Sequence, residues 1–243
     1  MAGDAIFRHS ALVTIQLFLC NLQPGAERHL PGLLARLDSA ERDRASRFMF
    51  DRDRLGYAAA HALLRHALDQ IAGERRPWRF TADAYGKPSL DPPFDSIHFN
   101  LSHADGLVAV AVSRRSEIGV DVESALREPD ESTFSSLILA PEELAELDGC
   151  ADRANRLLRI WVAKEALAKA IGLGLSLPVN QIILRGEAPQ LIALPEPHGP
   201  TSAWSLHSER YGAHWLALAT QHGEARPAER ITMTIEQLLN CPA

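Results

Sequence analysis

The chain has 243 residues, 46% of them hydrophobic and 23% charged, with a formal net charge of −6. That length and composition fit one large domain or two fused small ones around a substantial core. The acidic balance argues against general nucleic-acid binding, and no run of about 20 uncharged apolar residues offers a membrane span.

Residues 1–8 lack a secretory pattern, since Asp4 stands where a basic residue would open one, and a cytoplasmic protein is expected. The apolar run at 11–20, interrupted by Thr14 and Gln16, predicts a buried strand. Pro24 and Gly25 mark a turn, and helices are predicted at 29–37 and 40–50, the second capped by Asp38 or Ser39. Over 53–71, Leu55, Ala59, Ala62, Leu63 and Ala67 recur at helical spacing, and Gly73 is a natural stop. Arg54, Ala58, His61 and Arg65 share the other face of that helix. Strands follow at 78–81, 97–101 and 107–113, with Tyr85-Gly86-Lys87-Pro88 as a turn. The strand at 118–123 is apolar at Ile118, Val120 and Val122 and carries Asp121 and Glu123 on its opposite face. Helices at 141–147 and 153–171 come next, the long one ended by Gly172 and Gly174. Strands at 181–184, 202–207 and 214–220 and a short helix at 234–239 complete the chain. The order strand, helices, strands thus occurs twice. It predicts an α/β protein of α+β type, built as two similar halves at 1–117 and 118–243.

Several local features could carry chemistry, and each has a plain structural alternative. Asp121 and Glu123, about 7 Å apart on one strand face, suit a hard cation such as magnesium, or are simply two acids on an exposed edge. Trp161, Glu165 and Lys169 line up at a spacing of four, as a third carboxylate with a cation or as an ordinary helix-surface ion pair. Ser102 and His103 point to opposite sides of an extended chain, which disfavours a nucleophile–base pair and leaves them as phosphate donors or strand-end caps. Arginines crowd 36–54 beside their own acids, as an anion site or a solvated helical face. The only lysines are Lys87, Lys164 and Lys169, so each invites a reason. Cys20, Cys150 and Cys241 are odd in number and scattered, which suits neither disulfides nor zinc.

In series, Gly86-Lys87-Pro88, F-N-L-S-H at 99–103, I-G-V-D-V-E at 118–123 and W-V-A-K-E-A-L-A-K-A-I-G-L-G-L at 161–175 form a specific pattern. It closely resembles the Sfp-type 4′-phosphopantetheinyl transferases over most of the chain. The resemblance implies a pseudo-dimer of two α/β subdomains with coenzyme A and magnesium in the cleft between them. By motif position, Asp121, Glu123 and Glu165 hold magnesium on the pyrophosphate. Ser102 and His103 contact phosphate, Lys169 lies beside the reacting centre, and Gly86, Lys87 and Pro88 flank the adenine. Arg44 matches a 3′-phosphate position, Glu41 stands where a second cation can occur, and Arg54 is out of the usual phase with Arg65. His103 and Lys169 stabilise charge on the phosphates, and Glu165 takes the proton of the acceptor serine. The implied partner is an acyl, peptidyl or aryl carrier protein, an acidic helical domain docking near 134–147. Neither nucleic acid nor membrane is expected, and the chain is expected to be a monomer. A protein that binds coenzyme A or carrier without catalysis is the alternative.

Overall fold

A computed structural model describes residues 15–126, 131–222, 225, 227 and 229–241, and of 131–134 and 175 the backbone alone. In the first half, β1 (Ile15–Asn21) leads into α1 (Leu30–Leu34), α2 (Ser39–Ala45) and the long α3 (Asp51–Ala72). The hairpin of β2 (Phe80–Ala82) and β3 (Pro88–Leu90) precedes β4 (His98–Ala104) and β5 (Leu107–Ser113). The second half runs through β6 (Ile118–Ser124), α4 (Glu131–Ile138), α5 (Pro141–Leu147) and α6 (Arg153–Ile171). It then passes through the hairpin of β7 (Ile183–Arg185) and β8 (Gln190–Ala193) to β9 (Trp204–Tyr211), β10 (His214–Gln221), β11 (Glu229–Thr234) and α7 (Ile235–Asn240).

The long helices are where the spacing predicted them. Gly73 closes α3 and Gly172 closes α6, each with a left-handed backbone that an L side chain resists. Asp38 caps α2, its carboxylate accepting from the Glu41 amide while Glu41 accepts from the Asp38 amide.

Four strands form one sheet in the order β11-β1-β5-β4, and three form a second in the order β6-β10-β9. β1 shows why both faces of the first sheet are apolar. Phe18 and Cys20 join the core under α3, while Ile15, Leu17 and Leu19 pack against Ile118, Val120 and Val122 of β6. α6 covers the outer face of the second sheet over Ala217 and Ala219. The layers therefore run helix, sheet, sheet, helix. The expected division at 117/118 falls in the turn between β5 and β6, and β11 then returns from the second half to lie parallel to β1.

Two contacts fix α6. A Cβ at Gly119 of β6 would sit 2.0 Å from the Ala166 carbonyl oxygen and 2.5 Å from the Ala170 nitrogen, so the helix backbone lies directly on the strand. On another side, the fully buried Lys164 ammonium donates to Glu143 at 2.5 Å and to the carbonyls of Ile138 and Val179 at 2.8 and 3.0 Å. Glu143 is itself completed by the amides of Ala140 and Leu184. All three ammonium protons are thus used, which is what makes a buried charge tolerable.

The Gly119→Ala substitution forces the helix off the strand and should cost about 1–3 kcal/mol of stability or more. Denaturant unfolding measures it, and a loss below roughly 0.5 kcal/mol, the scale of an ordinary surface change, would mean that the strand and helix do not touch as described.

Candidate active site

Residues 119, 121 and 123 of β6 alternate with the core positions 118, 120 and 122, so Asp121 and Glu123 turn to the face that α6 covers. On α6, Trp161, Glu165 and Lys169 form one stripe. Lys169 Nζ lies 2.6 Å from Asp121 Oδ1, 3.2 Å from Ser102 Oγ and 3.3 Å from the Val120 carbonyl. Ser102 Oγ donates to the same Asp121 oxygen at 2.8 Å. Trp161 Nε1 donates to Glu123 at 3.4 Å.

The Lys169 ammonium does not offset the cost of burying Glu165. Burial raises the Glu165 carboxyl to about 7, and the charges of Asp121 and Glu123 add to the rise against the opposing pull of Lys169. Asp121 Oδ2 and Glu165 Oε1 are buried without a hydrogen-bond partner. Among the described residues no three side chains are already gathered as a metal cage. Two orphaned oxygens in an all-carboxylate set nevertheless fit a hard cation that keeps part of its water shell.

The site opens on a cleft of about 800 Å³ whose wall comes from both halves, Arg44, Tyr57, His61, Gly86 and Pro88 on one side and Asp121, Glu123 and Lys169 on the other. His103 lines it too, and a second cavity of about 670 Å³ shares His103 and Glu123. A Cβ at Gly56 of α3 would lie 2.8 Å from His103 Nδ1, so the glycine makes room for the ring. Burial, and then the Lys169 charge, hold the His103 imidazole below its usual range.

Most of the expected site residues converge here: Ser102, His103, Asp121, Glu123 and Lys169 line the cleft, with Arg44, Gly86 and Pro88 further along it, and Glu165 is buried within range of the Asp121, Glu123 and Lys169 charges without entering the lining. Two do not. Arg54 donates to Asp51 and to the Phe48 carbonyl, and lies outside the cleft lining. Its position in the first turn of α3 turns it back on the preceding loop. Lys87 also misses the lining. Its ammonium pairs with Glu117 at 2.5 Å and caps the Ala170 carbonyl at 2.9 Å, tying the β2–β3 turn to the end of α6.

Glu41, expected as an intruder among phosphate-binding cations, is instead the centre of a network. It accepts from His61 at 2.8 Å and from Arg65 at 2.7 Å, while Tyr57 stacks on His61. In the sequence, His61 and Arg65 share a helix face without an evident role. The signal that could have found them was a carboxylate at 41 opposite two cations four residues apart. Asn100 likewise stands inside a motif with no role read for it, although on a strand it shares the face of Ser102.

Residues 117–224 match the 4′-phosphopantetheinyl transferase superfamily, and residues 23–115 match the N-terminal region of 4′-phosphopantetheinyl transferases. The slr0495 protein of Synechocystis sp., provisionally assigned as such a transferase, is 30% identical over 225 residues, covering 88% of this chain and 90% of its own. The transferase HetI of Nostoc sp. is 33% identical over 155 residues, covering 62% and 65%. Sfp of Bacillus subtilis is 27% identical over 165 residues, covering 66% and 72%. This chain belongs to the 4′-phosphopantetheinyl transferase superfamily.

Burial alone raises the Glu41 carboxyl, but the hydrogen bonds from His61, Arg65 and the Asp38 amide, with the Arg65 charge, bring it down to about 2 from 4.5. A lowered carboxyl stabilises the fold fully above its unfolded pKa and loses that contribution as pH falls from about 4.5 through 2. The displacement corresponds to roughly 3 kcal/mol. Unfolding measured across that window should be less steep in pH for Glu41→Gln than for the parent, and identical slopes would mean the network is not formed.

Proposed function

We propose that this chain is an Sfp-type enzyme that moves the 4′-phosphopantetheine of coenzyme A to a serine of an apo carrier protein. The observation that supports it is the meeting of Asp121 and Lys169 at a cleft walled by both halves, with Glu165 within range of both their charges.

Asp121, Glu123 and Glu165 would hold magnesium, which when bound neutralises charge on the pyrophosphate. The serine oxygen forms a bond to the β-phosphorus, and the bond from that phosphorus to the bridging oxygen breaks, releasing adenosine 3′,5′-bisphosphate. Glu165 takes the serine proton, its burial giving a carboxylate basic enough to do so. Lys169 sits within reach of Asp121 and of the cleft, where its ammonium meets the charge building on phosphate oxygen. Ser102 acts through Asp121, because its proton is committed to that carboxylate. His103 donates to phosphate from the opposite face of β4. Arg44 is the cation left for the far end of the ligand, beside Tyr57 and His61.

The test incubates the protein with coenzyme A, magnesium and a panel of apo acyl, peptidyl and aryl carrier proteins and weighs the products. One phosphopantetheine per acceptor serine is expected, abolished by chelation. No addition to any carrier would overturn the proposal. Glu165→Gln should lower kcat about 10²–10⁴-fold while still binding coenzyme A, and near-parental turnover would remove Glu165 as the base.

A further inference from the structure

A third cavity, of about 320 Å³, lies away from the cleft and shares no lining residue with it. It sits where the loop after α5, the first turns of α6, the β7–β8 turn and the start of β10 meet, and Asn155, Arg156, Arg159 and Trp215 stand in its wall. Nothing in the proposed transfer uses it.

Two guanidiniums line this space with little of their hydrogen-bonding capacity spent. Arg156, only 9% exposed, donates from Nη1 to the Glu187 carbonyl at 3.4 Å, and the Glu146 carboxylate stands 3.6 Å from its Nη2. Arg159 donates from Nε to Ser208 Oγ at 3.3 Å, and its Nη1 is 3.7 Å from the Glu187 carboxylate, whose side chain is 92% exposed. Ion pairs so long and so wet hold a guanidinium weakly. Among the described residues Arg156 Nε and Nη2 and Arg159 Nη2 have no hydrogen-bond partner, and none of the three is sealed from solvent. Burial, and then the Arg156 charge, lower the Arg159 pKa against the pull of Glu187.

The neighbouring side chains prepare the same space. Trp215 Nε1 can only donate, so the Asn155 atom that it meets is Oδ1, and Nδ2 is left as a donor without a partner among the described residues. The Arg159 guanidinium lies 4.7 Å from the centre of the Trp215 ring, which holds its plane in place before any ligand arrives. Asp152, the other acid in the wall, already accepts the Asn155 backbone amide as the cap of α6.

We infer that this cavity is a phosphate-binding site, separate from the cleft, in which Arg156, Arg159 and Asn155 donate to the oxygens of a phosphate group, free or carried as a monoester by a small molecule. Two unneutralised cations suit a dianion, and the guanidinium fork matches two oxygens of one tetrahedral group. A phosphate offers an oxygen to each of the three side chains, whereas a carboxylate has only two. The site stands whether or not the chain transfers phosphopantetheine, so its test needs no coenzyme A.

Trp215 supplies the reporter. The chain has four tryptophans, so the ¹H–¹⁵N spectrum carries four indole N–H signals, and Trp215→Phe identifies the one that belongs to the site. Titration with inorganic phosphate, against chloride at matched ionic strength, should move that signal saturably. Arg159→Gln and Arg156→Gln should each weaken the response about tenfold or more, while Arg44→Gln, in the cleft, should leave it. Glycerol phosphate tests the monoester: tighter binding than inorganic phosphate assigns a monoester, and weaker binding assigns the free ion. No movement by about 20 mM phosphate, where a site with a Kd of about 1 mM is nearly full, would overturn the inference. A parental response in Arg159→Gln, or one lost only in Arg44→Gln, would overturn it by placing the phosphate elsewhere. An equal response to acetate would overturn the choice of phosphate.

Discussion

Everything at the active site depends on one place where no side chain intervenes. At Gly119 the backbone of β6 meets the backbone of α6 at Ala166 and Ala170. One residue before Ala166 is Glu165, one before Ala170 is Lys169, and two after Gly119 is Asp121. The close approach therefore brings Asp121 within hydrogen-bond length of the Lys169 ammonium and Glu165 within range of both charges. The Lys164–Glu143 pair holds the same helix from another side, joining α6 to α5, to the end of α4 and to the loop before β7. Its wholly buried charge is more demanding than an apolar contact would be. In return it admits only an arrangement in which three acceptors surround one ammonium.

The second constraint lies across the seam between sheets. Asn100 and Ser102 from the first half satisfy amides of the second, while Lys87 reaches the Ala170 carbonyl of the second half and, with His98, meets Glu117 at the end of the first. Those contacts hold Glu117 well ionised, its carboxyl lowered to about 2 chiefly by the His98 hydrogen bond, against burial and with help from Lys87. The F-N-L-S-H and I-G-V-D-V-E segments are thus two sides of one joint. The three lysines divide the work between them, for Lys87 joins the halves, Lys164 fixes a helix, and Lys169 faces the reaction.

Periodicity made α3, α6, β5 and β6 legible, because each is long and buries a regular set of apolar residues. The shorter pieces were not. β3, β8 and β11 offer too few apolar positions to show an alternation, and α4, with the sequence ESTFSSLI, is too mixed and polar to show a helical stripe. At the site, residue type and motif order were enough to bring Asp121, Glu165, Lys169 and Ser102 together. They could not show that Lys87 reaches a helix end or that Arg54 folds back on Phe48, since rotamer and loop path decide both. The expected docking stretch at 134–147 lies partly outside the described residues, and within it Leu137 is exposed while Ile138, Leu139 and Leu147 are core.

The return of β11 to β1 has a consequence for how the protein is made. β1 is synthesised about 200 residues before its parallel neighbour β11, with which it pairs from Gln16 with Glu229 to Asn21 with Thr234. α7 then packs beneath the first half, where Arg36 donates to the Leu239 and Cys241 carbonyls. The first sheet cannot be completed during synthesis of its own half, and β1 waits with one edge unpaired until β11 has been translated. Completion of the first half is thereby coupled to completion of the second, so a partly synthesised chain presents no finished cleft to a ligand.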